Sequence, residues 1–434
     1  MNGVRKLIDY IIKNKSFIIS YSGYISAIII VFLIPTYVWF IPPFMVIWGI
    51  SWVLENKDLK GKDLFKQNGS ALFLFSLFLA YCLWQFIGII YTPDKSIGWH
   101  FFFSRLSLLL FPLVLFIPSE KIKENAGKLL KIFAVAATLY VIFCFLFALY
   151  RSLSFTDGRW IFNPHPPEAN WTSYFYGYYF SYNQHASYFS LYIILSIFIA
   201  LEIFFEKSKR NQRKILWLIV ALTLIISIYF LSSRTGIILL FLLIPSYIFI
   251  KFRKKMRFMV AGSIVICFLL LGYFVTLNNW KIKSIFDNTL KGRFHETVVN
   301  DGRLVIWKAA MNPIGKHFIF GVGTGGVNAV MKDEYLRIGN QEFLNGKFNL
   351  HCQYLEVLLE NGLIGLILFM GMIGTMIYIA IFRGSLLYGI FIVCIIVFFI
   401  FETGLNRFPG VSYFSLFSFL LIHMSISKNI VKNN

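Results

Sequence analysis

Several groups in this chain carry chemistry that their surroundings make costly or conspicuous. Arg234 lies within IYFLSSRTGIILLFLL (228–243), a run so apolar that a charge at its centre costs about 2.5–3.5 kcal/mol even on the mildest scales. His351 opens HCQYLEVLLENGLIGLILF (351–369). It is either a helix cap, a satisfied interfacial side chain or a functional imidazole, the side chain that titrates nearest neutrality. Downstream, Gln353, Glu356 and Glu360 recur at helical spacing and draw a polar stripe along an apolar helix. Glu360, about two turns inside, is an intramembrane carboxylate and hence a functional or a pairing group. Gly321, Gly323, Gly325 and Gly326 make a turn that serves either as a plain loop or as a place where backbone N–H groups approach an anion. That turn lacks the GK[ST] ending of a nucleotide-phosphate loop.

The elements that must position these groups follow from hydropathy. The 434 residues are 58% hydrophobic and 19% aromatic, with 14% charged residues and a mean hydropathy of +0.70, far from soluble averages. The expected fold is an all-α integral membrane protein of about twelve helices, at 17–34, 36–54, 70–91, 98–117, 128–150, 184–204, 215–231, 235–250, 258–276, 353–381, 386–401 and 409–426. A single helix over 215–250 would be roughly 54 Å long against about 30 Å of hydrocarbon. Two antiparallel spans are therefore expected, with Ser232, Ser233 and Arg234 in the hairpin at a membrane surface. Pro42 and Pro43 require a kink or break in the second span. The first span, behind Arg5, Lys6, Lys13 and Lys15, reads as an uncleaved anchor.

The net charge of +21 is topological. One set of alternating loops holds Lys57–Lys66, Lys121–Lys131, Lys207–Lys214 and Lys251–Arg257, whereas the other offers little beyond Lys95, Arg151, Arg159, Arg234 and Arg407. This positive-inside pattern places both termini in the cytoplasm and calls for no nucleic-acid partner. Cys82, Cys144, Cys267, Cys352 and Cys394 have neither zinc nor disulfide spacing. Three regions result: nine helices over 1–276, an extracytoplasmic loop subdomain over 277–350, and three helices over 351–434. Arg303, Leu304, Ile306 and Trp307 suggest a short amphipathic helix in that loop. The other large outer segment, 151–183, is rich in Trp and Tyr, as suits either an interfacial belt or a sugar-stacking platform.

The order SSRTG, an apolar span, GRxxxW (302–307), GxGxG (321–325) and HxxYLExxxENGxxG (351–365) resembles the O-antigen ligase family over 184–369. That family shares its core with O-antigen polymerases and protein O-oligosaccharyltransferases. The resemblance implies a GT-C-like, inverting glycosyltransferase that needs no metal or other cofactor. It would act in the bacterial inner membrane on the periplasmic face, moving a glycan from an undecaprenyl-diphosphate carrier to a hydroxyl of lipid A–core. It further implies that Arg234 and Arg303 hold the diphosphate and that His351 is catalytic, with Asn183 and His185 in YNQHASYF (182–189), Gly321, Gly323 and Glu360 behind them. These residue types suit such a transfer, because guanidinium forks match phosphate oxygens and an imidazole takes the proton of a sugar hydroxyl. Cys352 departs from the family, which often has a polar residue there. A polymerase, whose acceptor is another lipid-linked repeat, and a lipid-saccharide flippase or transporter remain as alternatives.

Overall fold

The computed structural model describes residues 15–57, 69–169, 172–206, 211–251, 262, 302–339 and 349–430. In chain order the helices are α1 (Lys15–Thr36), α2 (Ile41–Glu55), α3 (Gly69–Tyr91), α4 (Lys95–Ser104), α5 (Ser107–Phe116) and α6 (Glu120–Ser152). A hairpin of β1 (Leu153–Thr156) and β2 (Arg159–Phe162) follows, then a single turn α7 (Tyr178–Ser181), α8 (Ala186–Phe204), α9 (Asn211–Leu231) and α10 (Arg234–Lys251). The last five are α11 (Gly302–Lys316), α12 (Val327–Arg337), α13 (Gln353–Arg383), α14 (Leu386–Phe401) and α15 (Phe408–Ile430). Long apolar runs become helices because hydrocarbon offers no partner for a free backbone N–H or C=O. Among the described residues, nine helical segments are long and apolar enough to cross a membrane, and Leu386–Phe401 and Phe408–His423 are shorter apolar helices. The expected span 258–276 lies outside the described residues except for Gly262.

The expected span 98–117 falls within one membrane-length segment, Lys95–Phe116, which α4 and α5 build end to end with a break at Arg105, whose buried guanidinium is tied to other elements. The described residues keep the expected all-α membrane architecture, with one short hairpin between α6 and α7. Asp157 and Gly158, with φ of 52° and 72°, form a tight turn of the kind that Asp-Gly favours, pairing Leu153 with Phe162 and Thr156 with Arg159. Pro42 and Pro43 occupy the first turn of α2, where a missing N–H costs nothing, and a 3-10 turn, Val38–Phe40, precedes them.

Helix α8 is the centre of the bundle: 78% of its apolar window is buried, against 28% for α9. Tyr192 meets Phe133 of α6 and Tyr413 of α15, and Phe198 meets Tyr247 of α10. Gly236 lets α10 approach α8, since a Cβ there would lie 2.8 Å from that of Ser190.

The helix ends sort into two faces. At one, Trp52 donates to Ile117 O and Lys251 pairs with Glu202, close to the lysine-rich connections. At the other gather the ends of α1, α3, α6, α9 and α14 and the starts of α8, α10, α13 and α15, tied together by contacts such as Gln184 Nε2 to Thr36 O and Tyr91 Oη to Phe320 O. The described part of the 277–350 segment sits on this second face. Its α11 and α12 share a small core in which Ile306, Ala310, Val322 and Met331 pack with Leu350 and Leu359.

Candidate active site

His351 lies just before α13 and adopts a left-handed φ of 48°, a conformation that costs a non-glycine residue about 1–3 kcal/mol and clusters at functional sites. Its amide donates to Asn349 Oδ1 at 3.1 Å, which helps to hold that shape. Its Nδ1 is 3.4 Å from Glu402 Oε2. Glu402 caps the C-terminus of α14 and is 6% exposed. Its other oxygen accepts from Ser187 Oγ of α8 at 3.2 Å and lies 4.0 Å from Arg303 Nη2 of α11. One carboxylate thus gathers Arg303 and His351, which are remote in sequence, and three helix ends. Burial would raise the pKa of Glu402. The His351 hydrogen bond and the charges of His185, His351 and Arg303 outweigh burial and hold it below the ordinary carboxylate value.

The polar stripe of α13 anchors the segment that carries Glu402. Gln353 Oε1 accepts from Leu405 N, and Glu356 Oε1 accepts from Asn406 Nδ2. Glu360, 2% exposed, forms a 2.7 Å ion pair with Arg105, whose Nε and Nη2 reach Leu405 O and Asn406 Oδ1. Glu360 is thus paired, and the pair ties down the 402–407 segment.

Of the two readings of the glycine turn, the packing of Gly321 and Gly323 favours the plain loop. Their amides are already engaged: Gly321 N–H donates to His317 O and Gly323 N–H to Glu360 O, while Gly325 N–H donates to Glu360 Oε1. The chain around Gly321 lies against a break in α13 at Gly362 (φ 66°), where Leu363 N–H donates to Phe318 O. A Cβ on Gly321 would stand 2.4 Å from Glu360 O, and one on Gly362 would stand 2.2 Å from Ile319 O. The GxGxG and ENGxxG motifs are thus complementary halves of one backbone contact. Trp307 belongs to the same support, donating from Nε1 to Leu350 O beside His351.

Arg234 opens α10, exposed at the site's end of the bundle. Its neighbour Ser233 hydrogen-bonds Ser190, one turn along α8 from Ser187. The structure therefore puts Arg234 on the same face as His351 and Arg303 without direct contact to either. Asn183 and His185 line a cavity beside Tyr188, whose hydroxyl donates to Thr403 O next to Glu402. Glu402 and Arg105 were missed in the sequence. Arg105 in FFFSRLSLLLF breaks an apolar run just as Arg234 does, and Glu402 is the acid of the short ETGLNR connection.

Fold and site together define a helical membrane protein with a cluster of charge at the face away from its lysine-rich connections. Residues 218–370, about a third of the chain, match the family model described as O-antigen ligase, consistent with a core domain of that family. The matched segment takes in Arg234, Arg303, His351 and Glu360 and stops before Glu402. It supports a membrane glycosyltransferase of the ligase and polymerase type, acting on lipid-linked saccharides in general. No curated protein matches the chain.

Proposed function

We propose that this protein transfers a glycan from an undecaprenyl-diphosphate carrier to an acceptor hydroxyl, with ligation of O-antigen to lipid A–core as the leading reaction and the site on the periplasmic face of the inner membrane. The observation that carries this reading is the convergence of Arg303 and His351 on Glu402, at a face shared with Arg234. With His351 Nδ1 turned to Glu402, a proton held there leaves Nε2 free as a base. The acceptor oxygen gives its proton to Nε2 and bonds the anomeric carbon. The bond from that carbon to the diphosphate oxygen breaks, and its electron pair leaves with the carrier. One displacement inverts the anomeric centre. Arg303 and Arg234 neutralise the charge that grows on the leaving diphosphate, and Glu402 steadies the imidazolium. Polymerisation uses the same steps and differs only in the acceptor.

The test measures affinity for the lipid-linked glycan and transfer rate separately, in folded Arg234→Lys, Arg303→Lys and His351→Ala proteins. The lysine variants keep the charge but lose the forked geometry, so donor binding and turnover both fall. His351→Ala lowers turnover by about 10²–10⁴-fold and spares donor binding. Normal transfer by His351→Ala, or wild-type behaviour of both lysine variants, removes the assignment.

A further inference from the structure

A cavity of about 470 Å³ opens beside the His351–Glu402 pair, between the end of α1, helix α4, residues 183–188 and the start of α15. That volume falls in the range of small-ligand sites, about 300–1,000 Å³. Tyr37 and Trp39, 40% and 65% exposed, bring aromatic surface to its wall. His100, Asn183, His185 and Arg407 bring polar ends. Other polar side chains of the same wall are engaged by the protein: Gln184 donates to Thr36 O, and Asn406 is held between Arg105 and Glu356. Among the described residues, no side-chain hydrogen bond or ion pair engages the four polar ends. No carboxylate is among the residues that line the cavity, and Arg407 is its one guanidinium, with the charge of Glu402 acting on His185 and Tyr188 from behind the wall.

Aromatic faces match the C–H faces of a sugar ring, unpaired amide and imidazole groups match its hydroxyls, and a guanidinium matches an anionic substituent. The cavity also shares structure with the reaction centre. Tyr188 lines it and bonds Thr403, the residue after Glu402, and Arg407 ends the same short connection. We propose that this cavity is the acceptor subsite and binds a saccharide bearing a phosphate ester or carboxylate, which pairs with Arg407. The word acceptor rests on the transfer reading above; the saccharide site itself does not.

Two measurements on the purified full-length protein test it. Ligand-observed NMR with glucose 6-phosphate and glucose as probes should show the phosphate ester binding at least about tenfold more tightly, a difference of about 1.4 kcal/mol. Arg407→Gln should erase that difference and Arg303→Gln should leave it. The side chain of Arg407 is exposed and makes no hydrogen bond, so its replacement should not disturb folding. Saturable binding of neither sugar overturns the site. Binding that is lost in Arg303→Gln and kept in Arg407→Gln overturns it equally, by placing the anion with the donor arginines. In the transfer assay, Arg407→Gln should raise the KM for an anionic acceptor while donor KM and kcat hold; a rise in donor KM instead refutes the acceptor role. A wild-type protein that binds glucose 6-phosphate and transfers nothing refutes the transfer reading and the acceptor role while sustaining the saccharide site.

Discussion

Removing Arg105 should damage the protein, and neutralising Glu360 as well should repair part of the damage. The two side chains are 2% and 3% exposed and 2.7 Å apart. Breaking a buried pair by deleting one partner typically costs about 3–5 kcal/mol, because the other charge is stranded. Arg105→Met leaves the Glu360 carboxylate facing only Gly325 N–H and Asn361 Nδ2, so a loss in that range is expected. Glu360→Gln strands Arg105 and should cost a similar amount, although its side-chain oxygen can still accept from Gly325 N–H. In the double variant neither charge of the pair is left buried without the other. What remains is the loss of Arg105's bonds to Leu405 O and Asn406 Oδ1, about 1–3 kcal/mol for each acceptor left unsatisfied. The double variant should therefore be no less stable than the worse single variant, where simple addition would give about 6–10 kcal/mol. Equilibrium unfolding in mixed micelles, followed by helical circular dichroism, closes the cycle. An additive double variant would mean that Arg105 and Glu360 do not neutralise each other, since uncoupled groups lose independently.

Three further outcomes follow from the same contacts. Because the pKa of Glu402 is held below its ordinary value, its charged partners stabilise the fold above the unfolded carboxylate value, near 4.5, and that stabilisation is lost as pH falls through the lower folded value. Thermal melts of wild type and Glu402→Gln across pH should differ by a constant amount near neutrality and converge in acid; a pH-independent gap contradicts this. Gly321→Ala and Gly362→Ala each drive a methyl into backbone within 2.4 Å at positive φ, and should cost at least about 1–3 kcal/mol. Gly374→Ala in α13, with nothing within 4 Å of the new methyl, should be stabilising by about 0.5–1 kcal/mol, and equal melting temperatures for the three variants would contradict the packing account.

The sequence made the spans legible because a membrane imposes one strong rule, that apolar runs become helices. It showed the side on which Arg234 emerges through the lysines of the opposite connections. His351 and Arg303 were visible through their motifs. Their meeting point was not, since Glu402 reaches them only after α13 and α14 have crossed and returned, and spacing says nothing about such contacts. Arg105 was hidden by averaging: an apolar window absorbs one arginine, whereas the fold breaks a helix there and gives it three partners. The glycines at 321–325 left two readings open for a related reason. Freely available amides and amides buried against another backbone look identical in sequence, and the partner here is the break at Gly362.

Glycan transfer with His351 as the base can be observed directly. The direct measurement reconstitutes the full-length protein in vesicles with an undecaprenyl-diphosphate-linked, isotopically labelled glycan and a lipid A–core acceptor, then seeks the new glycosidic bond and its anomeric configuration by mass spectrometry and NMR. Wild type should place the label on an acceptor hydroxyl with inverted configuration, and His351→Ala should do so about 10²–10⁴-fold more slowly. Labelled donor that crosses the bilayer intact without forming a bond, or a His351→Ala protein that transfers at the wild-type rate, would contradict the account.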